Sequence, residues 1–122
     1  AMAERVAVLG ASHKPERYSN QAVRMLKAYG HEVVPVTPGR AVIEDLPVAP
    51  DLGSIVGPVD TLTLYVGPER SAQLQDAILA LKPGRVILNP GTESPDLEKA
   101  LDGAGIPWQH ACTLVLLRTG QF

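Results

Sequence analysis

The chain has little cysteine, few aromatic residues and no long apolar run, and each shortage removes a class of protein. Its only cysteine, Cys112, excludes an internal disulfide and is compatible with a reducing cytoplasm. One tryptophan, three tyrosines and one phenylalanine, with a formal net charge of −2, leave no basic stripe interleaved with aromatics, which argues against nucleic acid as a partner. No apolar run approaches the ~20 residues of a membrane span, and no secretory signal is visible before the first apolar segment, so none is expected. A cytoplasmic protein with no membrane partner is therefore expected. The three histidines and the cysteine lack the spacing of a metal set, and neither a Ser-His-Asp order nor a paired-carboxylate arrangement stands out. The 122 residues suit one domain, spanning 1–122, with room for one site.

What is present is a regular alternation. Val6 to Leu9 is a continuous apolar, partly β-branched run that breaks at Gly10-Ala11-Ser12, as a strand covered on both faces would. Ser19 or Asn20 then suits a helix cap, with Ala22, Val23, Leu26 and Tyr29 on one face and Gly30 at the end. His31 to Val36 reads as the second strand, stopped by Thr37-Pro38-Gly39-Arg40. The segment Ala41 to Pro58 is rich in breakers and offers only a helical turn near Leu52 to Val56. Asp60 to Val66 predicts the third strand, and Leu74, Ala77, Ile78 and Leu81 predict an amphipathic helix after it. Arg85 to Leu88 predicts the fourth strand, Ser94 with Pro95 opens the next helix, and Pro107 to His110 predicts a last strand. Cys112 to Leu117 fits either strand or helix. The alternation predicts an α/β fold, a Rossmann-like doubly wound parallel sheet of about five strands with right-handed crossovers.

Ligands of such sheets sit beyond the carboxyl ends of the strands, where the strand order reverses. Here those ends are Gly10-Ala11-Ser12, Val36-Thr37-Pro38, Tyr65-Val66-Gly67-Pro68, Asn89-Pro90-Gly91-Thr92 and His110-Ala111-Cys112. Between Ser12 and Arg40 the cations Lys14, Arg17, Arg24, Lys27 and Arg40 face only Glu16 and Glu32, an excess suited to an anion. A dinucleotide fingerprint is absent: Ser12 and Pro15 stand where its glycines belong, and the second strand ends without an acid for the ribose. No triphosphate-binding G-x-x-x-x-G-K-[ST] sequence occurs. A loop carrying Lys14 and Arg17 suits a ligand whose phosphates are neutralised by side chains as well as by backbone.

Gly10-Ala11-Ser12 with Tyr18-Ser19, Pro35-Val36-Thr37-Pro38, Asn89-Pro90-Gly91-Thr92-Glu93 and Ala111-Cys112-Thr113 occur in this order at strand ends. In them the chain resembles the small bacterial CoA-binding proteins, which are similar in turn to the CoA-binding domain of the succinyl-CoA synthetase alpha subunit. The resemblance runs from Val6 to Leu117. It implies that Gly10, Ser12, Lys14 and Ser19 contact a pyrophosphate, that Val36, Thr37 and Pro38 line an adenine and ribose site, and that Arg40 faces the 3′-phosphate. Tyr65, Val66, Asn89 and Gly91 would flank the pantetheine path. The small proteins usually carry Asn where this chain has Thr37, and Val36-Thr37-Pro38-Gly39-Arg40 is closer to the synthetase pattern.

The expectation is a module that binds coenzyme A or an acyl-CoA without evident catalysis, alone or beside a larger enzyme partner. An alternative is an enzyme acting on a CoA thioester or thiol through Cys112, the one candidate nucleophile. A nucleotide-binding regulator of another kind is a third reading, opposed by the missing acid.

Overall fold

A computed structural model describes residues 2–122. Five parallel strands form the sheet: β1 (Arg5–Leu9), β2 (Glu32–Val36), β5 (Thr61–Leu64), β6 (Arg85–Leu88) and β7 (Trp108–His110), in the order β2-β1-β5-β6-β7. Two short strands, β3 (Val42–Ile43) and β4 (Leu46–Pro47), make an antiparallel hairpin after β2. The helices are α1 (Tyr18–Ala28), α2 (Pro68–Gln73), α3 (Gln75–Leu81), α4 (Pro95–Gly103) and α5 (Thr113–Arg118), with a 3-10 turn at Leu52–Ser54. The sheet runs one way from β1 to β2 and the other way from β1 to β5, so strand order reverses beside β1. That is the place for a ligand in an open parallel sheet.

Strand alternation sorts the core onto two faces. Val6 and Val8 join Val23 and Leu26 of α1 and Leu117 of α5 on one side. Ala7, Leu9, Leu62 and Leu64 join Ile78 of α3 and Leu97 and Leu101 of α4 on the other. Both faces of β1 are thus covered, which explains why its sequence is continuously apolar.

Helix α4 opens on reciprocal bonds. Ser94 Oγ accepts from the Leu97 amide at 3.3 Å, and Glu98 Oε2 accepts from the Ser94 amide at 3.0 Å. The same Glu98 oxygen takes His110 Nε2 at 2.8 Å, and that hydrogen bond holds the Glu98 carboxyl below its ordinary pKa. Ser94→Ala removes one of these bonds and is expected to cost about 1 kcal/mol, read as a lower denaturation midpoint at unchanged slope.

Four local expectations are corrected. Ser19 and Asn20 do not cap α1: both are buried inside it, and Arg17 holds the cap position in extended backbone. Tyr29 follows the end of α1 and is 53% exposed. The helix after β5 starts at Pro68, earlier than Leu74, and breaks at Leu74, whose amide is shared between the Arg70 and Ser71 carbonyls at 3.2 and 3.1 Å. The segment after β2 contains the hairpin as well as the helical turn. The open case at Cys112 to Leu117 resolves as helix α5.

Candidate functional site

The β1–α1 connection is shaped by Gly10. Its φ is +86°, and a Cβ there would lie 2.9 Å from both the Tyr65 carbonyl oxygen and Val66 Cγ1. Only glycine allows the two loops to approach this closely. The Gly10 and Ala11 amides both reach the Val36 carbonyl, at 3.1 and 3.2 Å, tying the ends of β1 and β2 together. Beyond them the Ser12 hydroxyl accepts from the Lys14 amide at 3.1 Å, and the Ser12 carbonyl accepts from Asn20 Nδ2 at 2.9 Å. Asn20 therefore serves as a strut for the loop.

Two recesses open on the carboxyl edge. The larger, about 550 Å³, lies between the ends of β1, β2 and β5; its walls include Leu9, Ala11, Val36, Thr37, Pro38 and Val66. The smaller, about 290 Å³, is lined by Ser12, Arg17, Ser19, Pro90 and Gly91 among others. Gly10, Tyr65 and Val66 belong to both, so the recesses adjoin across them. A volume of this order is usual for a small-molecule cleft. No side chain caps the start of α1, and its first turn carries no acid. Its leading amides and Arg17 give the smaller recess a positive end.

The structure thus gathers twelve residues singled out from sequence into the two linings: Gly10, Ala11, Ser12, Arg17, Ser19, Val36, Thr37, Pro38, Tyr65, Val66 and the Pro90-Gly91 pair. Lys14, Arg40, Asn89 and Cys112 line neither. Lys14 and Arg40 are exposed on the loops after β1 and β2. Asn89 is 1% exposed: its Nδ2 donates to Thr63 Oγ1 and the Leu64 carbonyl, both at 2.7 Å, and its Oδ1 accepts from the Thr113 amide at 2.9 Å. It holds the base of the Pro90-Gly91 turn and caps α5 from the loop that follows β6. Half-buried Cys112 precedes α5 and makes no side-chain cap.

Tyr65 sits over this buried network. Its hydroxyl is inaccessible and has no hydrogen-bond partner, while the neighbouring Thr63 and Thr113 hydroxyls bond each other at 2.8 Å. Burial pushes its pKa up to about 12; the nearby Thr113 and Thr63 hydroxyls oppose that rise and the Cys112 thiol adds to it. The neighbouring threonines affect the phenol through proximity, since neither meets hydrogen-bond geometry with it. The phenol remains protonated through the physiological range.

Sequence reasoning missed part of the larger lining. Asp51, Leu52 and Gly53 enter from the 3-10 turn, and Arg70, Leu74 and Ala77 from α2, α3 and the break between them. Leu74 and Ala77 fall on an amphipathic face and read as core. Arg70 and Asp51 carry no sequence signal beyond charge. Asp51 does bring an acid to the cleft, but its Oδ1 already accepts from the Ser54 amide and hydroxyl, at 2.9 and 2.7 Å. Among the described residues no group of three or more His, Cys, Asp or Glu side chains is placed to hold a metal, and no helix is long and apolar enough to cross a membrane.

Residues 4–118 match the family described as CoA binding domain. The chain belongs to that family. A Bacillus subtilis relative, the uncharacterized protein YneT, is 31% identical over 71 residues, which are 58% of this chain and half of that protein's length. An uncharacterized protein of known crystal structure superposes with a TM-score of 0.90 at 38% identity over all of both chains. The Thermus thermophilus protein termed cell-free ID.343 gives the same score at 33% identity, over 98% of this chain and 91% of the other. A likeness of fold alone extends to the dinucleotide forming acetyl-coenzyme A synthetase 1 of Ca. Korarchaeum cryptofilum. There the TM-score is 0.74 at 20% identity, over 86% of this chain and 25% of that one. A CoA-binding family and a cleft at the reversal of strand order support a ligand of the CoA class.

Proposed function

We propose that this CoA-binding family member holds coenzyme A or an acyl-CoA across the two adjoining recesses, as a binding module without chemistry of its own. The observation that carries the reading is the pairing of an apolar cleft with a positive recess around Gly10. CoA has the same division, with an apolar-faced adenine, a charged pyrophosphate and a long polar arm. Val36 and Pro38 offer walls for the adenine, and Thr37 lies beside them for the ribose. Ser12, Ser19 and the uncapped start of α1, with Arg17, suit the pyrophosphate. Lys14 supplies charge from the loop after β1. Tyr65, Val66 and Gly91 flank the way on for pantetheine, while Asn89 acts by holding the turn.

The lack of chemistry rests on what lines the recesses. Their charged side chains are Arg17, Arg70 and Asp51, and the one thiol lies outside both. Such a module serves as a carrier, as a sensor or as a partner of a larger enzyme.

Titration calorimetry with CoA tests this. Saturable one-to-one binding is expected, weakened about tenfold by Arg17→Gln through loss of a charge-assisted contact. Absence of saturable binding below millimolar CoA would overturn the proposal. Incubation with acetyl-CoA is expected to leave the protein mass unchanged; an acyl adduct on Cys112 would favour the enzymatic reading instead.

A further inference from the structure

The two edges of the sheet are finished differently. At the β2 edge the chain after the hairpin closes the ladder: the Ala49 amide donates to the Pro35 carbonyl at 2.9 Å, and the Thr37 amide donates to the Ala49 carbonyl at 3.1 Å. Pro35 has no amide to offer, so little of that edge is left to pair. At the other end of the sheet β7 holds no proline, lysine or arginine, and its register with β6 is unbroken. The Val86 amide donates to the Pro107 carbonyl at 2.9 Å and the Ala111 amide donates to the Leu88 carbonyl at 3.2 Å, so Pro107, Gln109 and Ala111 turn their backbone groups towards β6. Trp108 and His110, between them, turn theirs outward. Among the described residues no hydrogen bond reaches these two amides and two carbonyls.

The open edge is held in place from α4. Trp108 Nε1 donates to Asp102 at 2.8 Å and His110 Nε2 bonds Glu98 at 2.8 Å, so both side chains are tied to carboxylates one turn apart, with 5.3 Å between their ring centroids. Gln109 lies on the other face and is exposed. The pattern is complementary to itself. A second β7 laid antiparallel, with Gln109 on the two-fold axis, sets Trp108 opposite the partner's His110; each such pair exchanges two bonds, which satisfies all the outward groups of both edges. The same register puts Gln109 beside the partner's Gln109. A carboxamide both donates and accepts, so it bonds its own copy where a charged side chain would repel one. We infer that the β7 edge is an interface for a second copy of this chain, joined antiparallel into one ten-stranded sheet. Three residues a side fall short of the ~800 Å² per partner of a stable interface, so the dimer is reversible. Its two clefts open at opposite ends of the joined sheet, and the inference does not rest on the CoA reading.

Sedimentation equilibrium of the full chain between about 10 μM and about 1 mM tests this. The weight-average mass is expected to rise across that range from 13.0 kDa towards twice that value. Gln109→Lys and Gln109→Glu each bring like charges together at the axis and should weaken association about tenfold, whereas an equimolar mixture of the two should associate at least as tightly as wild type. A variant that had failed to fold could not give that rescue. Amide hydrogen exchange reads the register: Trp108 and His110 should exchange more slowly at the upper concentration than at the lower, with Gln109, already bonded to β6, unchanged. A wild type that stays at 13.0 kDa throughout overturns the interface. So does a dimer that Gln109→Lys leaves intact, or one whose concentration-dependent protection falls elsewhere.

Discussion

Gly10→Ala is expected to lower stability by about 3 kcal/mol and to abolish CoA binding. Two costs combine. A residue with a side chain held at φ +86° pays about 1–2 kcal/mol relative to glycine. The new Cβ must also come within 2.9 Å of the Tyr65 carbonyl oxygen, which is backbone, so relief requires β1 and β5 to part at their ends. That movement opens the floor shared by both recesses. Gly39→Ala separates the two costs, because its φ is +81° but nothing lies within 4 Å of the added carbon. It should cost about 1 kcal/mol and leave binding nearly intact. Denaturant midpoints and a CoA titration on both variants check the claim. Equal destabilisation of the two would show that backbone conformation alone matters at Gly10.

Asn89→Leu is expected to cost about 3 kcal/mol, although the side chains are similar in volume. Asn89, just past β6, joins β5 and α5 to the end of β6 in one buried set of hydrogen bonds. Leucine leaves the first amide of α5, Thr113 N–H, buried without an acceptor, and a helix has no internal partner for that amide. One such orphan costs about 1–3 kcal/mol, and the loss of the bond to Leu64 adds to it. Asn89→Asp keeps the acceptor but loses the two donations, so it should fall between leucine and wild type near neutral pH. If leucine proved neutral, the network would not be what holds α5 in place. Loosening α5 also frees the turn at Pro90 and Gly91, so CoA affinity should drop with stability.

The strand and helix order was legible because each strand is a short apolar run ending in glycine, proline or asparagine, and each long helix carries one apolar face. The same signals misled where a residue has two uses. Ser19 and Asn20 have the chemistry of caps, but Asn20 turns inward to bond the Ser12 carbonyl and Glu44. The β3–β4 hairpin was hidden because its strands are two residues long and Glu44 and Asp45 adopt positive φ without the usual glycine or asparagine. Helix α2 was invisible because Pro68 to Gln73 has no apolar repeat; it brings Arg70 to the wall of the larger recess.

The site divided in the same way. Residues at strand ends could be named from the chain, since the fold class alone places those ends on one edge. Leu74 and Ala77 could not, because a helix face that lines a cleft and one that fills a core share one spacing.

Amide chemical shifts during a CoA titration test most directly whether CoA lies on the carboxyl edge beside the reversal of strand order. Saturable changes are expected at Gly10, Ser12, Thr37, Val66 and Gly91, with the opposite edge at Glu32, Thr61 and Arg85 unmoved. Changes centred on that opposite edge, or none at saturating CoA, would contradict that placement.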